Sequence, residues 1–330
     1  MTDKIRIGIA GYGNLGKGVE IAIQENADME LTAIFSKRYD LTKLNHPCKD
    51  KIFDAADAHK FKDIIDIMIL CGGSSKDLPG QGPLYASMFN TVDGYDNHGN
   101  IPNYYNAMNK AATDNGNISV VCAGWDPGLF SINRVLFESI MPQGKSYTFW
   151  GPGVSQGHSD ALRKIPGVKK AIQYTIPVED NLGKIKKGGT PVLSIREKHK
   201  RECYVVIEEH ADKEGIRKSI ITMPNYFADY DTNVNFISEE EFVKNHSKMF
   251  HGGTVIRNGK TGTDPSNDQA LSFSLNLGSN SEFTASVLTA YARAAYRLKK
   301  KGCSGAKTVF DIPLKYLSNK TLDELCKELL

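Results

Sequence analysis

The sequence lacks several features that would place it in a membrane, outside the cell or on a nucleic acid. No apolar run approaches the ~18 residues of a membrane-spanning helix. Residues 1–4 lead straight into a strand-like segment, so we expect no signal peptide. The 41 basic residues nearly balance the 38 acidic ones, leaving a net charge of +3. We therefore expect no membrane partner and no general affinity for nucleic acid.

Cysteine pairs and metal-binding motifs are also missing. The six cysteines are scattered without a Cys-x-x-Cys pair, which is typical of reduced thiols in a cytoplasmic protein. No His-Glu-x-x-His motif or clustered Cys/His spacing indicates a metal, and we predict none. A Gly-x-Ser-x-Gly elbow and a Walker loop are absent as well. The basic segment 198–201 could be a nucleic-acid patch, but it has no aromatic residues interleaved, so we do not favour that interpretation.

Two domains are expected from 330 residues and from the order of the apolar segments. Strand and helix patterns alternate over the first 125 residues, with strands predicted at 5–10, 31–35, 64–71, 90–92 and 118–122. This alternation predicts a doubly wound α/β domain with a parallel sheet. Later segments read mostly as successive strands, at 147–150, 171–176, 203–208, 219–223, 233–237 and 270–277. Turns are predicted at 187–189 and 258–259, and the segment indicates an α+β domain with a largely antiparallel sheet.

A long helix is predicted over 284–301 and is expected to return to the first domain. We therefore predict a Rossmann-type nucleotide domain of residues 1–125 and about 284–330. The predicted substrate-binding and dimerisation domain covers 126–283.

The clearest motif is glycine-rich and lies between the first strand and the first helix. Its glycines permit a tight turn, a close approach of the backbone to a pyrophosphate, and close helix–strand packing. The motif consists of Gly11, Tyr12, Gly13, Asn14, Leu15 and Gly16.

The end of the second strand indicates which dinucleotide binds. NAD-binding domains carry an acid there for the ribose 2′-hydroxyl, whereas this chain has Ser36, Lys37 and Arg38. A hydroxyl and two cations suit a 2′-phosphate, so we predict NADP. Small residues after the third strand would leave room for the cofactor, in the segment Cys71, Gly72, Gly73 and Ser74.

Acidic residues follow two further strand ends, where ligands of such sheets bind. These are Asp93 or Asp96 in one loop and Asp126 in the other. Their carboxylates could bind a cationic substrate, although an Asp before Pro or in a turn is usually structural. Residues alone leave both interpretations open.

Several longer motifs give the chain a specific resemblance that runs essentially from end to end. It is carried by residues 11–16, 35–38, 95–98, 124–128, 130–134, 149–153, 155–163, 199–201, 251–253 and 283–286. With these motifs the chain resembles the meso-diaminopimelate dehydrogenases, NADP-dependent amino-acid dehydrogenases of bacterial lysine biosynthesis. The resemblance implies oxidative deamination at the D-centre of meso-2,6-diaminopimelate, giving L-2-amino-6-oxopimelate, ammonium and NADPH. It also implies a homodimer, which we expect to form through residues 127–280 on a sheet face around 171–176 and 203–208.

The same resemblance implies the site residues. Cofactor contacts map onto the glycine motif, onto residues 36–38 and 71–74, and onto Ala123, Gly124, Trp125, Asp126 and Pro127. Substrate contacts map onto Asp96, Asp126, Trp150, Gln156, Gly157, Thr175, Arg201, His251 and Asn280. Asp126, Asp96 and His158 are the candidates for proton transfer. This chain has Lys37 where the family often has Arg, and its match around Asn280 is weaker.

Two other functions stay open at this stage. One is another NADP-dependent reductase, acting on a semialdehyde or cyclic imine. The other is a nucleotide-sensing protein without catalysis, because a fold alone does not give a function.

Overall fold

The structure is a computed structural model that describes residues 4–37, 47–263 and 266–330. Its strands are β1 (Ile5–Ala10), β2 (Met29–Ser36), β3 (Ile52–Asp54), β4 (Ile67–Leu70), β5 (Thr91–Asp93), β6 (Ile118–Val120), β7 (Gly144–Trp150), β8 (Gly153–Val154), β9 (Val168–Pro177), β10 (His199–Ile207), β11 (Asp231–Phe236), β12 (His251–Thr261), β13 (Asn267–Leu277) and β14 (Gly305–Lys307). Its helices are α1 (Asn14–Gln24), α2 (Leu78–Ala86), α3 (Ile101–Asp114), α4 (Leu129–Ile140), α5 (Gln156–Leu162), α6 (Glu179–Lys186), α7 (Ile195–Lys198), α8 (Lys213–Ile221), α9 (Glu239–Asn245), α10 (Asn280–Lys300) and α11 (Leu322–Leu329). Short 3₁₀ turns cover Lys49–Lys51, Ala55–Phe61, His98–Asn100, Val309–Asp311 and Leu314–Tyr316.

The chain divides into two compact units, one of residues 1–132 with 281–330 and the other of residues 133–280. Unit 1 contains a seven-stranded sheet in the order β14-β6-β5-β4-β1-β2-β3. Every pairing in this sheet is parallel. The predicted doubly wound Rossmann-type fold is therefore confirmed for this unit.

Both faces of the unit 1 sheet are buried, as the continuous apolar strands predict. In β4, Ile67 and Ile69 join a core shared with α1 and α10, whereas Met68 and Leu70 join a core shared with α2 and α3. The long helix α10 supplies one side of the first core through residues such as Leu288 and Tyr291. The C-terminal segment thus packs within unit 1.

Unit 2 contains two small sheets where the sequence predicted one. The first has the order β11-β10-β9-β8 and the second has the order β13-β12-β7. All pairings are antiparallel except that of β10 with β11. The α+β character of the second domain is confirmed.

Two local predictions for unit 2 are wrong. Residues 219–223 were predicted as a strand, but residues 219–221 end α8, a helix that is capped by Asp212 and that buries Ile216 and Ile220 one turn apart. The β-branched composition of this segment favoured a strand, and the tertiary packing of one helical face overrides that preference.

Asn258 and Gly259 were predicted as a turn but lie within β12. The Asn258 amide donates to the carbonyl oxygens of Ile185 (2.7 Å) and Gly189 (2.9 Å). A Cβ on Gly259 would lie 2.3 Å from the Gln143 carbonyl oxygen. The Asn-Gly pair therefore serves packing against neighbouring backbone, which a local pattern does not reveal.

Candidate active site

The glycine motif forms a tight turn between β1 and α1. Gly11 has φ of +97°, and a Cβ on Gly16 would lie 2.2 Å from the Gly11 carbonyl oxygen. By contrast, a Cβ on Gly13 would meet no atom of the described residues within 4 Å. The turn is closed on its inner side and open at the beginning of the helix, where backbone N–H groups are available to an anion.

Tyr12 takes part in this loop in a different way from its glycine neighbours. Its side chain is buried, and its hydroxyl donates a hydrogen bond to the carboxylate of the buried Glu20. Only the main chain of Tyr12 is thus presented by the loop. Asn14 is exposed and Leu15 is half-buried at the first residues of α1.

The end of β2 lies beside this loop, because Gly11 N donates to the Phe35 carbonyl oxygen at 2.8 Å. Ser36 is buried there and Lys37 is exposed. Arg38, the second predicted cation, lies outside the described residues. The described part of the segment has no acid, in keeping with the sequence argument for a 2′-phosphate.

The loop after β4 is the third element at this edge. Cys71 N donates to the Ala10 carbonyl oxygen (2.8 Å), which places the loop next to the end of β1. Gly73 N donates to Asp77 Oδ2 at 2.9 Å, and a Cβ on Gly72 would lie 2.8 Å from Asp77 Cβ. Because β2 and β4 flank β1 on opposite sides, this edge is the topological switch point at which such sheets bind ligands.

The alternative between Asp93 and Asp96 is decided by burial. Asp93 is fully buried, and burial raises its pKa to about 6. Asp96 is exposed, and its backbone N–H donates to Ser74 Oγ at 3.1 Å, which joins the loops after β4 and β5. Asp96 is therefore the acid that this loop can offer to a ligand.

Asp126 is carried by the loop after β6. Here a close turn brings Gly128 (φ +134°) so near Gly124 that any Cβ would clash with the Gly124 carbonyl oxygen. Trp125 packs edge-to-face on Phe130 at 5.2 Å. Asp126 is half-buried, while Ala123 and Pro127 are buried. The turn presents the Asp126 carboxyl at the same edge of the sheet as Asp96, because both loops follow carboxyl ends of adjacent parallel strands.

In unit 2, Arg201 is the most unusual side chain. It is only 6% exposed, and it donates to the hydroxyl of Thr175, directly opposite it on β9. Its guanidinium lies 3.8 Å from the centre of the Tyr230 ring. Arg201 Nε and Gln173 Oε1 are buried without a hydrogen-bond partner among the described residues. A buried cation with an unused donor is expected to bind an anion such as a carboxylate.

Glycines bring further predicted residues to this cluster. Gly153 pairs with Thr175, and a Cβ on it would lie 2.5 Å from His251 Cα. Likewise a Cβ on Gly151 would lie 2.0 Å from the Thr175 carbonyl oxygen. The buried His251 accepts from Gly252 N at its Nδ1 (2.7 Å), and burial lowers its pKa.

Trp150 is held by His199. Its backbone N–H donates to His199 Nε2 at 2.9 Å, and the two rings stack at 5.3 Å. Burial lowers the pKa of His199 to about 4, so the ring is neutral and can accept this bond at neutral pH.

The remaining predicted residues of unit 2 lie around α5 and α10. Gln156 and Gly157 are exposed at the first turn of α5, which packs on β9. His158 is on the same helix, and its Nδ1 lies 2.7 Å from Ser155 Oγ. Asn280 begins α10, and its N–H donates to the Met249 carbonyl oxygen (3.0 Å).

His158 is poorly suited to the proton-transfer role that the sequence suggested. Burial, reinforced by the charge of Arg201, lowers its pKa to about 4. An imidazole with this pKa is a weak base at neutral pH. Its role in catalysis stays a prediction that its surroundings do not favour.

Sequence reasoning missed three residues of these clusters. Gln173 lies two residues before Thr175 on β9, so both side chains are on the same face of the strand. Strand periodicity could therefore have identified Gln173. His199 lies in the recognised motif 199–201, but that motif gave no sign that its ring would hold the backbone of Trp150. Tyr230 precedes β11, and only the pairing of β10 with β11 brings it to Arg201.

Comparisons with known proteins agree on one family. Residues 124–279 match the family model described as the diaminopimelic acid dehydrogenase C-terminal domain. A meso-diaminopimelate D-dehydrogenase from Ureibacillus thermosphaericus is 57% identical over 99% of each chain.

Solved structures give the same result. The C. glutamicum DAP dehydrogenase in complex with DAP is 47% identical, with a TM-score of 0.92 over 100% of each chain. An engineered D-amino acid dehydrogenase bound to NADP+ is 45% identical, with a TM-score of 0.88 over 99% of this chain and 100% of that one.

Proposed function

This chain belongs to the meso-diaminopimelate dehydrogenase family, and from that premise we propose that it oxidatively deaminates meso-2,6-diaminopimelate at the D-centre. The reaction consumes water and NADP+ and releases L-2-amino-6-oxopimelate, ammonium, NADPH and a proton. The observation that carries the proposal is the buried Arg201, whose Nε lacks a partner among the described residues, in a chain that also presents acids beside a nucleotide loop. A dicarboxylate with two ammonium groups needs both kinds of partner.

NADP is the proposed cofactor. The β1–α1 turn fits a pyrophosphate. Gly16 lies so close to the Gly11 carbonyl oxygen that no side chain fits there, whereas the space beside Gly13, where the helix begins, is open among the described residues. Ser36 ends β2 and Lys37 follows it, at the point where the 2′-phosphate of NADP would lie, and Arg38 comes next in the sequence. The engineered relative with bound NADP+ supports this choice.

The substrate roles follow from charge. We assign the binding of the reacting amino group to Asp96 and Asp126. Their carboxylates are exposed and half-buried, so a ligand can reach them, and their negative charge attracts an ammonium group. We assign the distal carboxylate to Arg201 and Thr175. The other proposed contacts are Trp150, Gln156, Gly157, His251 and Asn280.

In the proposed mechanism, the chain's residues bind, orient and move one proton. Oxidation requires a neutral reacting amine, so a carboxylate near that amine must accept a proton before the Cα–H bond breaks. Asp126 and Asp96 are the proposed acceptors. Bound NADP+ supplies the hydride acceptor. Water then adds to the resulting imine carbon, and ammonium leaves to give the ketone. Arg201 contributes by fixing the far end of the substrate, which limits the positions open to the reacting carbon.

A homodimer is the proposed assembly. The sheet face first expected to pair is unsuitable, because apolar clusters pack on both faces of the β8–β11 sheet. Helix α4 instead exposes Val135 (49%), Leu136 (50%) and Ile140 (61%). Strand β13 is an edge strand of eleven residues. An apolar patch and an unpaired strand edge both favour association, and two-fold dimers are the commonest form.

A cytoplasmic location is proposed from the thiol state of the six cysteines. No helix among the described residues is long and apolar enough to cross a membrane.

The proposed activity is tested by NADPH formation from the meso, L,L and D,D isomers of diaminopimelate. We expect turnover of the meso isomer, because it offers a D-centre at one end and an L-centre at the other. If the protein does not oxidise the meso isomer but acts on a semialdehyde or cyclic imine, the proposed function is wrong and the alternative reductase function is correct. Binding of NADP without turnover of any of these compounds would favour the sensor.

A further inference from the structure

Asp93, at the end of β5, has a fully buried carboxylate that accepts hydrogen bonds from three other residues. Its Oδ1 accepts from Tyr95 N (3.0 Å) and from Cys122 N (3.2 Å). Its Oδ2 accepts from the Tyr104 hydroxyl at 2.8 Å. These donors belong to the loop after β5, the loop after β6 and helix α3. One carboxylate thus joins three elements of unit 1.

The backbone around Asp93 reinforces this junction. Ala123 N donates to the Asp93 carbonyl oxygen (2.8 Å). Cys122 has φ of +58°, a left-handed conformation that costs energy for a residue with a Cβ. The hydrogen bond from Cys122 N to Asp93 is therefore part of what keeps the β6 loop in its turn.

Aromatic packing fixes the other loop. The Tyr95 and Tyr104 rings stack at 3.9 Å with an interplanar angle of 12°. The amide of Asn100 donates to the Tyr95 hydroxyl (3.1 Å). Asp96 follows Tyr95 directly, so its position depends on an anchor that both Asp93 and α3 maintain.

Burying this carboxylate is costly. Burial raises the pKa of Asp93 to about 6, against the opposing effect of its three donors, which shows that removing the charged carboxylate from water is unfavourable. An apolar side chain of similar size would avoid the cost of desolvating a charge if packing were all that the position required. What an apolar residue could not do is accept from two separate loops at once.

We infer that Asp93 is a positioning residue for the reaction, whose carboxylate sets the main chain of both loops that carry Asp96 and Asp126. The inference rests on the proposed function for the roles of those two acids, but the junction itself does not depend on it. Loosening it should harm the orientation of the reacting amine, because a misplacement of 1 Å costs about 10²-fold in rate.

The test compares two substitutions of Asp93 with a matched control. Asp93→Asn keeps one acceptor oxygen and removes the charge, and Asp93→Ala removes both. The control is Asp66→Asn. Asp66 precedes β4, at the opposite end of the strand next to β5, and it is bound by Arg6 N (2.9 Å) and by the Arg6 guanidinium. It therefore tests loss of a similarly bonded carboxylate away from the loops.

Kinetics give the first measurement. For Asp93→Asn we expect kcat with meso-diaminopimelate to fall by about 10- to 100-fold. The dissociation constant of NADP should change by a smaller factor than kcat does, because the glycine loop anchors the cofactor independently of its proposed contacts with residues 123–127. Asp66→Asn should lower thermal stability while leaving kcat near the wild-type value.

Fluorine NMR gives a measurement that does not require activity. The chain has two tryptophans, Trp125 in the β6 loop and Trp150 in unit 2. With 5-fluorotryptophan incorporated, both Asp93 variants should shift or broaden the Trp125 resonance and leave that of Trp150 in place. The resonances are assigned from a Trp150→Phe sample.

Each outcome decides the inference. A shifted Trp125 signal with a selective loss of kcat supports it. An unmoved Trp125 signal, or kinetics of Asp93→Asn that match those of Asp66→Asn, overturns it. If Asp93→Ala does not fold, the Asn variant still gives both measurements. If wild type does not oxidise meso-diaminopimelate, the proposed function fails, and the NMR comparison alone decides whether Asp93 sets the β6 loop.

Discussion

Arg201 offers the most direct test of how the substrate is held. Its guanidinium is buried between Thr175 on β9 and the ring of Tyr230, with Nε unused by the described residues. Replacing it with Ala would remove the positive charge and the planar donor pair, whereas replacing it with Lys would keep only the charge.

The size of the effect can be worked from these contacts. Two charge-assisted hydrogen bonds to a carboxylate at roughly 1.5–3 kcal/mol each amount to about 3–6 kcal/mol. At 1.36 kcal/mol for each factor of ten, kcat/KM for meso-diaminopimelate should fall about 10²- to 10⁴-fold in Arg201→Ala. The Lys variant should lose roughly the square root of that factor, since it keeps one point contact.

The assay measures initial rates of NADPH formation over a range of substrate concentrations. Arg196→Lys is the matched control, because Arg196 is an exposed arginine of the same unit that bonds Asp231 (2.9 Å) and the Ala228 carbonyl oxygen. D-alanine, which lacks the distal group, should be a poor substrate that is insensitive to the Arg201 change. An unchanged KM for meso-diaminopimelate in Arg201→Ala, with a normal melting temperature, would refute the assignment of Arg201 to the distal carboxylate.

Three further predictions concern the cofactor, stability and assembly. Lys37→Ala with Arg38→Ala should weaken NADP by several kcal/mol, at roughly 1.5–3 kcal/mol for each charged contact, and leave NAD nearly unchanged in a binding titration; equal losses would contradict a 2′-phosphate role. Arg293→Ala should cost about 3–5 kcal/mol of unfolding free energy in a urea titration, because the buried Arg293 binds Asp28 in a bidentate pair (2.6 and 2.7 Å). The hydrogen bond from Arg293 holds the pKa of Asp28 below its ordinary value. The contribution of the pair to folding stability is therefore present above that ordinary value and is lost as pH falls through the folded pKa. If the variant lost stability in acid as steeply as wild type, this origin would be wrong. Leu136→Glu should give monomers in light scattering while Ile64→Glu, at a similarly exposed position in unit 1, should not; a wild-type monomer would exclude the dimer.

The glycine turn between β1 and α1 could be predicted from sequence because its signals are local. The three glycines, the strand before them and the helix after them are contiguous in the sequence. The charged residues at the end of β2 are likewise adjacent to one another. The α10 helix was likewise visible from the spacing of Ala285, Leu288 and Ala292. Most of the strands predicted from sequence differ from the observed strands by only a few residues at each end, because the apolar patterns that mark them are local.

The rest depended on pairings between distant segments. Tyr230 reaches Arg201 because β10 and β11 pair in parallel, and no spacing along the chain encodes that register. The structural role of Asp93 and the exposure of Asp96 could not be separated from sequence, since both acids follow the same strand. Segment 219–223 shows the opposite case, where a local preference for strand was overruled by the packing of Ile216 and Ile220 in a helix.

The central claim, that hydride leaves the D-centre of meso-diaminopimelate, is tested most directly with substrate deuterated at one α-carbon. Two samples are needed, one carrying deuterium at the D-centre and the other at the L-centre, each incubated with NADP+ and the wild-type enzyme. We predict that only the D-centre sample yields NADPH containing deuterium, and that only this sample forms product without the label. Deuterium transfer from the L-centre sample, or NADPH formation without label from the D-centre sample, would contradict the account.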